Sequence, residues 1–195
     1  IYSRNSKIYC RFTIHLIGNK VNIALIGPRG VGKSKVSRKL SKILTMPIVS
    51  TDMIAVYEAG GISIADQIKN DNGKWNNFRK LELRILENLS KSKNIILDCG
   101  GGILFDVDRD GKEFYSEKKV SVLKSFCTVF GLSHNTDYLI EKVINDSTRP
   151  NLSEINSYRE VLLRRLPFYQ SASDFYIPVE GLDPKDVAKK ISELI

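Results

Sequence analysis

Gly27-Pro28-Arg29-Gly30-Val31-Gly32-Lys33-Ser34 matches G-x-x-x-x-G-K-[ST], the pattern of a phosphate-binding loop. The residues before it, 21–26, are apolar and largely β-branched, which predicts a buried strand. After the loop, apolar residues recur at helical spacing through residues 36–44. We therefore expect the loop to join a strand to a helix N-terminus. A chance match in a glycine-bearing turn is the alternative.

The residue types of this loop suit phosphate chemistry. Its glycines let backbone N–H groups converge on phosphate oxygens, and the helix dipole adds a favourable potential there. Lys33 has the reach to contact the β- and γ-phosphates, and the Ser34 hydroxyl suits Mg²⁺. The predicted nucleotide-binding residues are Gly27, Gly30, Val31, Gly32, Lys33, Ser34 and Lys35.

Composition bounds the class of protein. A chain of 195 residues that is 42% hydrophobic can bury one core, so we expect a single domain. No window approaches 18 consecutive apolar residues, which argues against a membrane span. Cys10, Cys99 and Cys127 are odd in number and lack C-x-x-C spacing, which is typical of reduced thiols in an intracellular protein. We expect a cytoplasmic location.

The net charge of +8 is spread along the chain rather than gathered in blocks. Spread charge fits a solvated surface, and a site for anionic small molecules would also favour it. Without a basic patch interleaved with aromatic residues, we expect no nucleic-acid partner, no membrane contact and a monomer. Residues 1–20 form a basic N-terminal extension that either adds a strand to the sheet or contacts a partner, with a targeting remnant as a further alternative.

Acidic residues lie at the ends of two further predicted strands, with Asp52 just after 46–50 and Asp98 as the last residue of 94–98. Asp52 is placed either to accept hydrogen bonds or a proton from a substrate hydroxyl, or to serve as a helix N-cap. Asp98 begins D-x-x-G and suits Mg²⁺, bound directly or through water. The glycine run Gly100-Gly101-Gly102 indicates either a close approach of backbone to ligand or a flexible connector.

Three positions carry candidate arginines. Arg79 and Glu82 are three residues apart on a predicted helix, a spacing that taken alone is typical of a surface ion pair. Arg164-Arg165 lies near the end of the predicted helix 158–169, so one of the two either faces an anion inside or complements the helix dipole. Arg149, before a proline in a polar loop, is either a lid residue over phosphates or an ordinary exposed side chain.

Residues 106–117 match the spacing of an EF-hand calcium loop, D-x-[DN]-x-[DN]-G-x5-E. An EF-hand needs a helix on each side, and here a predicted strand and a glycine run come first. Glu113 also occupies a loop position where we expect an apolar residue. The stretch therefore predicts a polar Asp-Gly turn rather than a calcium site.

In their order and spacing, these motifs resemble the shikimate kinase family of small-molecule P-loop kinases, over roughly nine-tenths of the chain from residue 21 onward. The resemblance also covers residues 62–66, Arg149-Pro150 and residues 165–169. It implies an α/β fold, a three-layer α/β/α sandwich with a five-stranded parallel sheet in the order 2-3-1-4-5 and a mobile lid. Residues 21–195 would form the kinase domain, with substrate binding around 52–90 and the lid around 142–160.

The resemblance also implies an activity, transfer of the ATP γ-phosphate to the 3-hydroxyl of shikimate. By motif, Asp52 would bind shikimate hydroxyls and act as base, and Arg79 and Arg165 would clamp the carboxylate. Glu82 would orient Arg79, and Arg149 would act on phosphate. Gly101 and Gly102 would offer backbone groups to the substrate.

Three departures from the family pattern stand out. Ser50 replaces an aspartate usual after the second strand, a loss near the metal for which Asp98 would compensate. Lys142 stands where an adenine-stacking arginine is common. The segment between Asp52 and Arg79 is a few residues longer.

The sequence thus predicts a shikimate kinase that uses ATP and Mg²⁺. One alternative is a kinase for another acceptor, either a hydroxylated acid such as gluconate or a nucleoside monophosphate. Another, from a different class, is a non-catalytic relative that binds nucleotide or nucleic acid. The arginine pair with Asp52 favours an acceptor that carries a carboxylate and hydroxyls.

Overall fold

A computed structural model of the protein describes residues 22–144 and 155–195. Its centre is a five-stranded sheet, in the order β2-β3-β1-β6-β7, in which all neighbours are parallel. The strands are β1 (Asn22–Ile26), β2 (Ile48–Ser50), β3 (Ile96–Asp98), β6 (Cys127–Ser133) and β7 (Phe175–Pro178). Counted by themselves along the chain, these strands run 2-3-1-4-5, so the expected fold class is confirmed.

A short antiparallel hairpin, β4 (Phe105–Val107) with β5 (Glu113–Tyr115), stands apart from the main sheet. The helices that complete the domain are α1 (Lys33–Leu44), α2 (Thr51–Glu58), α3 (Ile64–Asn70), α4 (Asn76–Leu89), α5 (Glu117–Phe126), α6 (Thr136–Ile144), α7 (Ile155–Ala172) and α8 (Pro184–Ser192). Among the described residues, no helix has the length and apolar character needed to cross a membrane.

Helices cover both faces of the sheet, which explains why β1 is apolar at consecutive positions. Ile23 and Leu25 pack into one core with α1, α6, α7 and α8. Ala24 and Ile26 point the other way, into a second core with α4, α5 and the end of α7. Because a parallel strand buried on both faces has no polar side, its sequence shows no alternation.

Capping residues set the helix starts, with one change from expectation. Ser63 and Asp183 cap α3 and α8 through their side chains, as these residue types commonly do. The cap of α2, however, is Ser50, whose hydroxyl accepts a hydrogen bond from the Met53 amide at 3.4 Å. Asp52 lies within the first turn of α2, so its alternative assignment as N-cap is wrong.

The calcium-like pattern folds into the turn of the β4–β5 hairpin. One Asp108 carboxylate oxygen accepts hydrogen bonds from the backbone amides of Asp110, at 3.0 Å, and Lys112, at 2.8 Å. Gly111 has a φ of 81°, a left-handed conformation that glycine adopts without strain. The predicted Asp-Gly turn is therefore confirmed, but the two strands that it joins were not predicted.

A buried ionic cluster ties α4, α5 and β4 together. One Glu82 carboxylate oxygen accepts hydrogen bonds from Arg79 Nη1, at 2.8 Å, and from Lys119 Nζ, at 2.9 Å. Lys119 is fully buried and also donates to the carbonyl of Phe105 at 2.8 Å. Burial lowers the pKa of Lys119, and the Glu82 carboxylate opposes that shift. The interpretation of Arg79 and Glu82 as a surface pair is wrong.

Replacing Lys119 with methionine removes one cation from this cluster and leaves the Phe105 carbonyl without its donor. We expect Lys119→Met to lower the free energy of unfolding by about 3–5 kcal/mol, the cost of breaking a buried ion pair. Urea denaturation of the two proteins measures the difference.

Lys118→Met is the matched control on the same helix. Lys118 is 67% exposed and pairs with Glu87 at the surface, so we expect a change within about 0.5 kcal/mol. Equal effects of the two substitutions would show that Lys119 contributes no more than a surface lysine.

Candidate active site

The phosphate-binding loop follows β1 directly and needs its glycines. Gly27, Gly30 and Gly32 have φ values of 143°, 85° and 104°, which side-chain-bearing residues rarely adopt. A Cβ atom at Gly27 would also lie 2.5 Å from the carbonyl oxygen of Leu132 on β6. The sequence motif therefore takes the strand–loop–helix form that it predicted.

The charged residues of the loop sit at the start of α1. Lys33 is buried, and its ammonium donates hydrogen bonds to the carbonyls of Gly27, at 2.9 Å, and Pro28, at 3.0 Å. Ser34 and Lys35 are exposed on the first turn. The N-cap, Gly32, has no side chain to cap the helix, so the positive end of the helix dipole lies beside the loop.

The carboxyl ends of the parallel strands bring the next candidates to the same edge of the sheet. Asp98 at the end of β3 is in register with Leu25 on one side and Ser50 on the other. Its side chain is buried, close to where β1 leads into the phosphate-binding loop. Ser50 uses its hydroxyl to cap α2, so the position that lacks the family's aspartate has a structural task here.

The glycine run is tightly packed, so the alternative of a flexible connector is wrong. A Cβ atom at Gly100 would lie 2.2 Å from an Asp52 carboxylate oxygen, and one at Gly102 would lie 2.3 Å from Arg79 Nη1. Gly101 faces the phosphate-binding loop, with the Arg29 amide nitrogen 3.3 Å from its ideal Cβ position. The run thus brings Asp52, Arg79 and the loop around one short stretch of backbone.

Arg79 and Arg165 approach this backbone from two helices. Arg79 Nη1 donates to the Gly102 carbonyl at 3.1 Å, and Arg165 Nη1 donates to the Gly101 carbonyl at 3.4 Å. Arg165 points inward and Arg164 outward, with 14% and 50% of their side chains exposed. Because α7 continues to Ala172, Arg165 does not serve as a cation for the helix C-terminus.

Glu113, on β5, links these arginines, and no sequence pattern pointed to this role. Its carboxylate accepts hydrogen bonds from Arg165 Nε, at 2.9 Å, from Arg165 Nη2, and from Arg164 Nη2, at 2.8 Å. Arg79 Nη2 lies 3.6 Å away. Burial alone would raise the pKa of Glu113, but the hydrogen bonds and charges of the arginines hold that pKa below its usual value.

Aromatic residues complete the surroundings of the arginines. Arg165 Cζ lies 4.7 Å from the centre of the Phe105 ring, and Arg79 Cζ lies 4.9 Å from that of Trp75. The Tyr169 hydroxyl donates to the Gly101 carbonyl, and burial raises the pKa of Tyr169 to about 12. These contacts hold both guanidinium groups in place.

Lys142 lies next to the phosphate-binding loop, as its predicted nucleotide role requires. Its Cδ atom is 3.6 Å from the ideal Cβ position of Gly30. Its ammonium lies 5.0 Å from the centre of the exposed Tyr138 ring and donates to the Tyr138 hydroxyl at 3.1 Å. Arg149 and the central part of the predicted lid, like residues 1–20, lie outside the described residues.

The oxygen atoms of Ser34 and Asp98 are the candidate metal ligands. Both residues lie at the sheet edge that carries the phosphate-binding loop, and hydroxyl and carboxylate oxygens suit Mg²⁺. Within residues 22–144 and 155–195, no cluster of three or more histidine, cysteine or acidic side chains could hold a metal by itself. The pair fits Mg²⁺, which usually keeps several waters and binds substrate phosphates.

Comparison with known sequences points to the shikimate kinases. The model of the shikimate kinase family matches residues 29–195. A shikimate kinase of Leptospira borgpetersenii is 59% identical over 170 residues, which is 87% of this chain and 95% of that protein. A shikimate kinase of Leptospira biflexa is 50% identical over 175 residues, which is 90% of this chain and 96% of that protein.

Solved structures agree with these sequences. Shikimate kinase from Acinetobacter baumannii in complex with shikimate superposes with a TM-score of 0.74 at 25% identity, covering 90% of this chain and 92% of that one. The Aquifex aeolicus shikimate kinase gives 0.72 at 26% identity, covering 89% and 95%. The sequence motifs, the fold and the relatives agree, and the chain belongs to the shikimate kinase family.

Proposed function

We propose that this protein is an enzyme that transfers the γ-phosphate of ATP to the 3-hydroxyl of shikimate, a step in aromatic amino-acid biosynthesis. The observation that carries the proposal is the convergence of Asp52 and two inward arginines on a glycine backbone beside the phosphate-binding loop. This arrangement offers cations to a carboxylate and an anion to hydroxyls, which matches a carboxylated polyol.

Acceptor binding divides between two kinds of group. Arg79 and Arg165 bind the carboxylate of shikimate, because a guanidinium fork fits two carboxylate oxygens. Glu82 and Lys119 fix Arg79 from behind through the buried cluster. Asp52 hydrogen-bonds the acceptor hydroxyls and aligns the 3-hydroxyl or accepts its proton, while Gly101 and Gly102 present their backbone groups to the ring.

The nucleotide binds on the other side of the glycine run, at the phosphate-binding loop. The amides of the loop between Gly27 and Gly32, with Lys33, hold the phosphates, and Lys142 lies beside the adenosine. Ser34 and Asp98 would hold Mg²⁺, which neutralises charge on the β- and γ-phosphates when bound. We place Arg149 over the transferred phosphate as the lid arginine, an assignment that rests on the family resemblance.

Phosphoryl transfer requires little covalent chemistry from a protein, so catalysis here is positioning and charge stabilisation. The fixed arginines hold the ring by its carboxylate, and Asp52 holds the hydroxyl end. Lys33 stabilises charge that moves onto the leaving phosphate oxygen. A cytoplasmic location and a monomeric state stay predictions from the sequence.

A coupled ADP-release assay tests the activity, with ATP, Mg²⁺ and shikimate in one reaction and gluconate, AMP or no acceptor in parallel reactions. We expect turnover with shikimate alone. Turnover with another acceptor would keep the kinase mechanism and overturn the substrate assignment. Folded protein without turnover on any acceptor would favour a binding role instead.

Lys33→Ala tests the phosphate site. We expect kcat to fall at least about a hundredfold, on the scale of one lost charge-stabilising donor in a water-poor site. The control is Lys39→Ala, an exposed lysine farther along α1, which should leave kcat near the wild-type value. A Lys33→Ala enzyme with wild-type turnover would exclude the phosphate role.

Arg165→Ala tests the carboxylate site through the KM values of the two substrates. We expect the KM for shikimate to rise at least roughly thirtyfold, because truncating one partner of a buried charge pair costs 2 kcal/mol or more. The KM for ATP should change far less. Arg38→Ala, which removes an exposed arginine from α1, is the control. If the KM for ATP changed more than the KM for shikimate, the assignment of Arg165 to the shikimate carboxylate would be wrong.

A further inference from the structure

We propose that Glu113 determines the affinity of the enzyme for its acceptor. It occupies the arginine clamp, which is the pair of guanidinium groups of Arg79 and Arg165, until the carboxylate of the acceptor displaces it. The inference rests on the proposed function, since it takes Arg79 and Arg165 as the groups that bind the acceptor. Glu113 itself lies on the β4–β5 hairpin, outside every sequence motif that pointed to the site.

The position of the carboxylate supports competition. One Glu113 oxygen contacts Arg165 Nη2 and also lies 3.6 Å from Arg79 Nη2, so it stands between the two guanidinium groups. The other oxygen accepts from Arg165 Nε at 2.9 Å. Glu113 thus takes one complete edge of the Arg165 fork, the arrangement that a bound carboxylate prefers. A substrate carboxylate that bridges both arginines needs the same place.

Arg79 retains donors for an incoming carboxylate. Its side chain is 3% exposed, and its Nε is buried without a hydrogen-bond partner in the part of the chain that the structure describes. Its Nη2 reaches Glu113 only at 3.6 Å, longer than a hydrogen bond. A buried donor without an acceptor carries a desolvation cost, which a ligand oxygen would relieve. Glu113 therefore fills the clamp only in part.

Glu113 also has a partner to keep after it leaves the clamp. Arg164 is 50% exposed and donates to the Glu113 carboxylate at 2.8 Å from the solvent side. The next residue on the strand, Phe114, is exposed, so the hairpin edge borders solvent. A displaced Glu113 can stay paired with Arg164 in water, where an exposed charge costs little.

Displacement sets a threshold for binding. Two carboxylates at one pair of arginines repel each other, so the acceptor must provide enough further contacts to move Glu113 out. Asp52 and the glycine backbone offer those contacts only to a ligand with hydroxyl groups. Displacement thus lowers the affinity for every carboxylate by the same factor, and only a ligand with hydroxyl groups binds tightly enough to occupy the two arginines.

Trp75 supplies a direct measure of acceptor binding without ATP. It is the only tryptophan in the chain, and Arg79 Cζ lies 4.9 Å from its ring centre. Titrating shikimate against tryptophan fluorescence gives Kd for the wild-type protein and for Glu113→Gln, which keeps the shape and removes the charge. We expect the variant to bind shikimate roughly tenfold more tightly, equivalent to about 1.4 kcal/mol.

Three comparisons sharpen the titration. Asp110→Asn removes the same charge from the exposed turn of the same hairpin and should leave Kd unchanged. Glu113→Asp keeps the charge on a chain shorter by one methylene, so we expect an intermediate Kd. Cyclohexanecarboxylate has the carboxylate without the hydroxyls. Its Kd should fall by the same factor as that of shikimate in Glu113→Gln, because neither ligand then has to displace a charged side chain.

Weaker or unchanged binding of shikimate to Glu113→Gln would overturn the inference, and weaker binding would show that Glu113 instead orients the arginines. If only shikimate gained affinity, the effect would lie at the hydroxyls and competition would be wrong. If circular dichroism shows that Glu113→Gln does not fold, Glu113→Asp is the test instead. Tighter binding of shikimate than in the wild type supports the inference, and unchanged or weaker binding overturns it. Wild-type protein that turns over shikimate secures the proposed function whichever way the variants fall, whereas wild-type protein that neither binds nor turns over shikimate overturns both proposals.

Discussion

The Glu82 carboxylate is the charge on which the acceptor side of this protein depends. It binds a fully buried lysine and a nearly buried arginine through one oxygen, and that lysine also holds the carbonyl that begins the β4–β5 hairpin. Buried cations are costly without such a partner. A single carboxylate therefore fixes the position of α5 against α4, the start of the hairpin, and the guanidinium group that reaches the site.

Close packing around the glycine run, residues 100–102, places the candidate side chains next to one another. Asp52 and Arg79 each lie where a Cβ atom of a glycine would otherwise stand, so any side chain there would push one of them away. The phosphate-binding loop borders the middle glycine, and Arg165 and Tyr169 bind its carbonyl. In the proposed function, donors for phosphate and for acceptor lie on two sides of this one backbone segment, as a reaction between two bound substrates requires.

The charged side chains around the proposed acceptor site do not balance. Arg79, Arg165 and Lys119 face two carboxylates, Glu82 and Glu113, so the cluster retains an excess of positive charge. Glu113 is the more exposed of the two carboxylates, and within residues 22–144 and 155–195 it pairs with Arg164 at the surface. The buried Glu82 carboxylate belongs to the scaffold, and the more exposed Glu113 carboxylate is the one that we propose a ligand displaces.

The sequence by itself determined the strand–loop–helix of the phosphate site, the order of the sheet strands and the identity of Asp52, Arg79 and Arg165 as candidates. Those features depend on local spacing, on glycine conformations and on a resemblance spread along the chain. Only the tertiary structure showed that Arg79 and Glu82 are buried, that Ser50 caps a helix, and that Glu113 and Lys119 belong to the site. Each of these depends on contacts between residues far apart in sequence, such as Glu113 with Arg165, and the spacing of residues along one element carries no information about them.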